Sequence, residues 1–317
     1  MKKYFTLAIV ATMFVACTNE VVVSKVDALT GTPIRVNPHV VNLTESRVAG
    51  NESEIDLEYF FLNIQGDTDY FVYMEKDGNE WKSYKADETT CDKGEVENMV
   101  WKNGNQVTVS AFYNRCYGFC SKDEYRNTNS YAMIWTDQSK ESLFKQCDNL
   151  YMEPTSVIPS FDAISVNLKH LMSKLIITIV SESEVADVKV GGTFHCRKFY
   201  PTATDESSRW GERTSLKILD VTACKDSYDE ENGISKYEVI LTPQTTEEPL
   251  SVSFTMGGKN YKWTSDASVT LQSGKVYTLD LLADLAGKAV AVSVNVDEWP
   301  DETITITGGS ADEVTTE

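Results

Sequence analysis

Short runs of alternating apolar and polar residues recur from residue 55 to the C-terminus. Period-2 patterning suits a half-buried strand, whereas a helix repeats its apolar face every ~3.6 residues. Val107-Thr108-Val109-Ser110-Ala111, Leu250-Ser251-Val252-Ser253-Phe254 and Tyr277-Thr278-Leu279-Asp280-Leu281 all alternate. Val290, Val292, Val294 and Val296 make the longest such run, and Ile304 and Ile306 alternate with threonines after Trp299-Pro300. Turn chemistry separates the runs: Asp77-Gly78-Asn79, Asn103-Gly104-Asn105, Asn232-Gly233, Gly257-Gly258 and Ser273-Gly274 can all supply positive φ. Leu175 to Val180 is too short to span a membrane and reads as a buried strand. One helix is expected, within 139–150, with Leu143, Phe144 and Cys147 on one side. The pattern predicts an all-β chain of sandwich type with few short helices.

The 317 residues leave room for two ordinary domains. Pro154 and Pro159-Ser160 interrupt regular structure, so a division is expected there, into 48–158 and 159–317. Ahead of it, Ile34-Arg35-Val36-Asn37 alternates and Val40-Val41-Asn42-Leu43 follows Pro38, which confines that strand to a sheet edge. The last residues, 308–317, read as a loose acidic tail.

Residues 1–16 have the order of an export signal: Lys2-Lys3, an apolar stretch from Tyr4 to Phe14, then small residues up to Cys17. The stretch is too short for a spanning helix of ~20 residues. Val15-Ala16-Cys17 resembles a bacterial lipobox, which makes Cys17 the lipid-bearing residue of the mature chain. The alternative is an ordinary secretory signal with Cys17 incidental. Acyl chains contribute ~0.8 kcal/mol per buried CH₂, enough to hold a soluble domain at an outer membrane without a spanning segment.

Charge limits the partners. With 29 basic against 48 acidic residues the net charge is −19, which argues against nucleic acid, since a phosphate backbone calls for clustered Lys and Arg. The cysteines besides Cys17 are Cys91, Cys116, Cys120, Cys147, Cys196 and Cys224. None forms a Cys-x-x-Cys pair, so no metal and no cofactor is expected. Export permits disulfides, though a chain of this length does not need them; at most some of the six are expected to pair, first among Cys91, Cys116, Cys120 and Cys147. His170 reads as a hydrogen-bonded histidine with no nucleophile near it. Asp226 to Gly233 reads as a solvated hairpin turn, since it lacks the calcium-loop pattern. Trp81 and Trp210 have polar neighbours and are the candidates for a sugar-stacking surface, while Trp101 and Trp263 read as core. No nucleophile elbow, Walker loop or dinucleotide fingerprint is present, and an enzyme is not expected.

Several blocks together point to one family. They are the Lys-Lys signal ending in Cys17, Thr44-Glu45-Ser46-Arg47-Val48-Ala49, and the stretch from Trp101 to Tyr113 with its Asn103-Gly104-Asn105 turn. Asp148 to Met152 and Val166 to Leu175 with its His170-Leu171-Met172-Ser173-Lys174 follow, and Leu271 to Leu279 with Trp299 closes the set. In order and spacing the chain resembles the fimbrillin family of Bacteroidota, Mfa-like lipoprotein subunits of type V pili. The resemblance implies two transthyretin-like β-sandwich domains in tandem. It implies that residues 17–47 form a lipidated segment removed by an Arg-specific protease, with Arg47 the first candidate cut and Arg35 the second, and Ile34 to Leu43 the strand lost. The donor strand offered to a neighbouring subunit would come from Val290, Val292, Val294 and Val296 or from Ile304 and Ile306. The alternatives are that Arg47 is an ordinary loop arginine and that both segments are permanent strands of the second sandwich. The implied partners are other pilus subunits, the outer membrane through Cys17, and a host protein or glycan. The competing reading is a stand-alone outer-membrane lipoprotein that binds glycans or host protein.

Overall fold

The computed structural model describes residues 28–41, 57–87, 92–113, 122–127, 130–213, 218–283, 289–298 and 309–313. The first half of the chain supplies β1 (Val36–Val40), β2 (Tyr59–Gln65), β3 (Tyr70–Asp77), β4 (Glu80–Ala86), β5 (Lys93–Val96) and β6 (Val107–Tyr113). Helix α1 (Lys122–Asn127), β7 (Ser130–Met133), helix α2 (Glu141–Gln146), β8 (Leu150–Val157) and β9 (Ile164–His170) follow. The remainder runs β10 (Ser173–Ser181), β11 (Val185–Gly191), β12 (Cys196–Phe199), helix α3 (Glu206–Arg209), β13 (Trp210–Arg213), β14 (Val221–Thr222), β15 (Cys224–Asp229) and β16 (Ile234–Leu241). It ends with β17 (Gln244–Thr245), β18 (Ser251–Met256), β19 (Lys259–Ser265), β20 (Thr270–Leu271), β21 (Lys275–Ala283), β22 (Ala289–Glu298) and β23 (Gly309–Glu313). The fold is all-β, and the expected helix is present, shortened to α2.

The first sheet has eight strands in the order β1-β9-β8-β6-β2-β3-β4-β5. Its central strands are buried on both faces. Phe60, Leu62 and Ile64 of β2 point to one side, into a core with Val72, Met74, Trp101, Val109 and Val166. Phe61 of β2 and Phe112 of β6 point to the other side and join a second core. Burial on both faces explains why β2 reads as apolar from Tyr59 to Leu62 instead of alternating, with the buried Asn63 after it donating to Ser110 Oγ.

Two five-stranded sheets, β15-β16-β10-β21-β22 and β14-β11-β18-β19-β23, form a sandwich. Leu175, Ile177, Tyr237, Val239 and Leu279 of one share a core with Val190, Val252, Phe254, Tyr261 and Trp263 of the other. Alternation here is clean: β10 buries every second residue from Ser173 to Ser181. Most pairs are antiparallel, but β10 pairs β21 in parallel and β1 pairs β9 in parallel.

The first sheet continues past the division expected at residue 158. Pro159 and Ser160 lie in the loop between β8 and β9, two strands of the same sheet, and the chain leaves that sheet only after His170. The halves also interleave. Strand β7 pairs β12 of the second half, and Phe199 of β12 stacks on Phe112 at 5.3 Å between ring centroids. Cys147, Cys196 and Cys224 are buried thiols. This removes Cys147 from the expected disulfide set: its sulfur accepts from the Trp135 backbone N–H (3.2 Å) and donates to the Leu143 carbonyl (3.3 Å). Cys91, Cys116 and Cys120 lie outside the described residues.

Candidate functional site

One segment, residues 28–41, pairs with β9 at one end of the first sheet and with the Met99–Trp101 stretch that follows β5. Its early part runs beside the residues that follow β5: Gly31 N–H donates to Trp101 O (2.8 Å), Trp101 N–H to Thr32 O (2.9 Å) and Ile34 N–H to Met99 O (2.9 Å). The turn that starts it, closed by Thr32 N–H to Leu29 O, needs a left-handed residue, and Gly31 sits there at φ 82°. The later part runs along β9. Ile164 N–H donates to Arg35 O (2.8 Å), Val41 N–H donates to Leu168 O (2.8 Å), and β1 keeps register from Val36↔Ile164 to Val40↔Leu168. Ile34 is buried and Val36 and Val40 pack on the first core, whereas Arg35, Asn37 and His39 point to solvent. Leu29 and Ile34 are the apolar anchors, 8% and 7% exposed, each worth about 1.5–3 kcal/mol if fully buried.

A cleft opens on the other side of β9. Strands β8 and β9 pair only at Leu150↔His170 and Tyr151↔Lys169, and Leu171 N–H to Asn149 O extends that ladder backwards. Beyond Tyr151 the two strands diverge. The gap holds a volume of about 440 Å³, with Met152, Thr155 and Val157 on one wall, Ser165 and Asn167 on the other, and Trp101 at its floor. The loop over its mouth is pinned at two carbonyls: Arg35 Nη2 donates to Phe161 O (2.6 Å) and Trp101 Nε1 to Ser160 O (3.1 Å). At the paired end, the buried Arg209 guanidinium donates to Tyr151 Oη (2.6 Å) and to Glu153 Oε1 (3.0 Å), and Lys169 Nζ stands 3.8 Å from Glu153.

A model of the fimbrillin-like family matches residues 62–299, three quarters of the chain. The chain belongs to the fimbrillin-like family. Solved structures with this fold include a candidate cell adhesion protein from Bacteroides ovatus ATCC 8483, at 15% identity and TM-score 0.57, covering 91% of this chain and 100% of that one. Another, a candidate cell adhesion protein from Bacteroides uniformis ATCC 8492, has 14% identity and TM-score 0.52, covering 84% and 99%. At these identities the likeness is one of fold. No curated protein matches the chain in sequence.

In this fimbrillin-like chain the residues singled out from sequence fall in separate places. Arg35 is on the sealing segment, its carbonyl in the β9 ladder. Cys17, Arg47, Ile304 and Ile306 lie outside the described residues. Val290, Val294 and Val296 belong to β22, opposite Leu282, Leu279 and Tyr277 of β21. Val292 is the extra residue of a bulge, which breaks the alternation the sequence suggested. The donor candidate in β22 is thus an edge strand of its own sandwich in this state.

Trp81 and Trp210, the candidates for a sugar-stacking surface, do not form one platform. Trp81 in β4 is partly buried, edge-on to Phe60 at 5.1 Å. Trp210 in β13 donates from Nε1 to Ser273 Oγ (3.0 Å) and packs on Phe199. Their polar neighbours in sequence reflect the outward side of each strand, not the environment of the indole. His170 is buried, with Nδ1 3.0 Å from the Asp148 carboxylate. Asp229 caps the β15–β16 turn by accepting from the Glu231 and Asn232 amides, the solvated hairpin expected there. Sequence reasoning missed two features, the run 28–34 beside Trp101 and the β8–β9 cleft. Both depend on which distant strands become neighbours, and no local pattern reports that.

Proposed function

We propose that the chain is a cell-surface pilus subunit, shaft or accessory, that serves adhesion and assembles by exchange of a β-strand. In this reading Cys17 carries the lipid that holds the precursor at the outer membrane. An Arg-specific protease cuts after Arg47, or secondarily after Arg35, and the segment ahead of the cut leaves the first sheet. The family and the adhesion assignment of its structural relatives support the pilus and adhesion part. The observation that carries the exchange part is the double pairing of this segment, which supplies main-chain partners to the β9 edge of the eight-stranded sheet and to the Met99–Trp101 backbone that follows β5. Its loss leaves the β9 edge and the Met99–Trp101 backbone without partners beside an apolar groove, and an alternating strand from another subunit is the natural replacement. A head-to-tail contact of this kind propagates into a filament unless its rotation closes.

The test is trimming of the precursor, lacking its signal and with Cys17 replaced, by an Arg-specific protease. Mass spectrometry maps the new N-terminus and electron microscopy reads the product. A cut after Arg47 followed by filaments is expected. A trimmed, folded core that stays monomeric sinks the shaft role and favours a terminal subunit or a stand-alone lipoprotein. Substituting aspartate for Ile34 loosens the seal and is expected to speed trimming.

A further inference from the structure

We infer that the β8–β9 cleft is a slot for an extended, basic peptide segment of a partner protein, added as a strand between β8 and β9. The inference rests on the adhesion reading and names the class of ligand.

The main chain of β9 offers hydrogen-bonding groups to the cleft. Ile164 N–H and Leu168 C=O face β1, so by strand alternation the amide groups of Ser165 and Asn167 face the opposite edge, toward β8. The β8–β9 register stops at Tyr151↔Lys169, and among the described residues no backbone hydrogen bond joins 152–157 to 164–168. The cleft therefore presents a strand edge along a wall, which is what strand addition reads. This edge is distinct from the one that β1 occupies.

Trp101, Met152 and Ile164, at 1%, 6% and 6% exposure, belong to the first core and also line the cleft. An apolar side chain entering every second position of a peptide meets core atoms there. The volume of about 440 Å³ falls in the range of ligand-binding sites. At the mouth, Ile158 is 74% exposed, and Phe161, on the same loop though not on the cleft wall, is 57% exposed. That loop is held by the Arg35 and Trp101 hydrogen bonds and by Asp162 N–H to Ser160 Oγ (3.2 Å), so little ordering cost remains on binding.

The mouth of the cleft carries negative charge. Lys169 and Arg209 already face Glu153, which leaves the exposed Asp162 carboxylate as the open charge of the mouth. The chain as a whole carries −19. A basic segment is attracted and an acidic one repelled. A sugar is the poorer fit, because Trp101 shows the cleft no exposed ring face.

The test uses fluorescence anisotropy with a labelled synthetic peptide that alternates valine with lysine and threonine. Two controls accompany it: the same pattern with glutamate for lysine, and the basic peptide with alternate amides N-methylated. The basic peptide is expected to bind, roughly tenfold or more tighter than either control. It is expected to slow amide exchange at Ser165 and Asn167. Thr155→Trp fills the cleft from an exposed position and should weaken binding roughly tenfold. Asp162→Lys, on the loop and remote from the core, should weaken it several-fold with unchanged melting, and it keeps the test valid if the tryptophan variant misfolds. Equal binding of the N-methylated peptide overturns the inference, as does binding indifferent to both variants or no binding at millimolar peptide. A polysaccharide such as dextran displaced by Thr155→Trp, with peptide ignored, overturns it in favour of carbohydrate. Cells displaying the protein are scored for adhesion in parallel. Adhesion that persists while peptide binding is absent removes the cleft alone, and wild-type cells no more adhesive than deletion cells remove the adhesion reading.

Discussion

Tyr237 shows how a residue in the middle of β16 ties stability to pH. Its hydroxyl donates to Val185 O at 2.5 Å inside the sandwich. Burial, with the nearby Glu184 and Asp187 carboxylates adding repulsion, pushes the phenol from 10.0 up to about 12. The folded state thus keeps a proton that the unfolded chain releases. The resulting stability is fully present below pH 10 and is lost as the pH rises toward 12. Urea unfolding across that window should show a falling midpoint for the wild type and a shallower fall for Tyr237→Phe. Equal slopes would sink the assignment. The variant should also cost about 1 kcal/mol below pH 10, from the lost hydrogen bond. At this scale the sequence was least legible. Gln138, fully buried, donates to Ile240 O (2.8 Å) and accepts from Ile240 N–H (2.9 Å), so that one side-chain amide stands in for a strand. Its partner lies 102 residues away, and nothing local marks it.

Among the elements, β1 is the one whose placement follows from a single residue. Arg35 O and Val41 N–H both bond to β9, so within β1 the backbone groups of odd-numbered residues point to β9 and those of even-numbered residues to the open edge. Pro38 is even-numbered. Its missing N–H therefore falls on the open side, costs the ladder nothing, and denies a donor to any chain that approaches. Pro38→Val restores that donor. Sedimentation should show self-association increased several-fold, together with a stability loss of about 0.4–1 kcal/mol from the freer unfolded chain. Unchanged sedimentation would end the edge-guard account. The edge position was legible because proline excludes a central strand. The parallel pairing to β9 was not, since alternation fixes which face a strand buries and leaves open which neighbour it takes. The same limit hid the bulge at Val292, where four evenly spaced valines suggested an unbroken strand.

Across the whole molecule, two turn-rich halves suggested two separable sandwiches, and the aromatic packing joins them. Phe199 is fully buried, stacked on Phe112 at 5.3 Å, edge-on to Tyr151 at 6.1 Å and tilted against Trp210 at 5.5 Å. It stands where the outer face of the first sheet meets the second half, and β7 crosses to pair beside it. We expect wild-type protein to melt in one calorimetric transition. Phe199→Ala should cost about 3–5 kcal/mol and split the transition in two. A variant that still melts as one unit would show that the halves are coupled elsewhere. The all-β class was legible because alternation and turn glycines are local, whereas Phe112 and Phe199 read only as members of two ordinary strands.

The sealing segment also sets an order in time. Arg35 and the carbonyl it holds at Phe161 are 126 residues apart. During synthesis this segment emerges before β2 to β8, and its β9 partner follows only after most of the first sheet has been made. The entropy of closing so long a loop delays its docking. An element added along a sheet edge, with alternate side chains exposed, is also of the kind that opens early. The strand made first is therefore expected to dock last, which makes its β9 edge the last part of the first sheet to be covered.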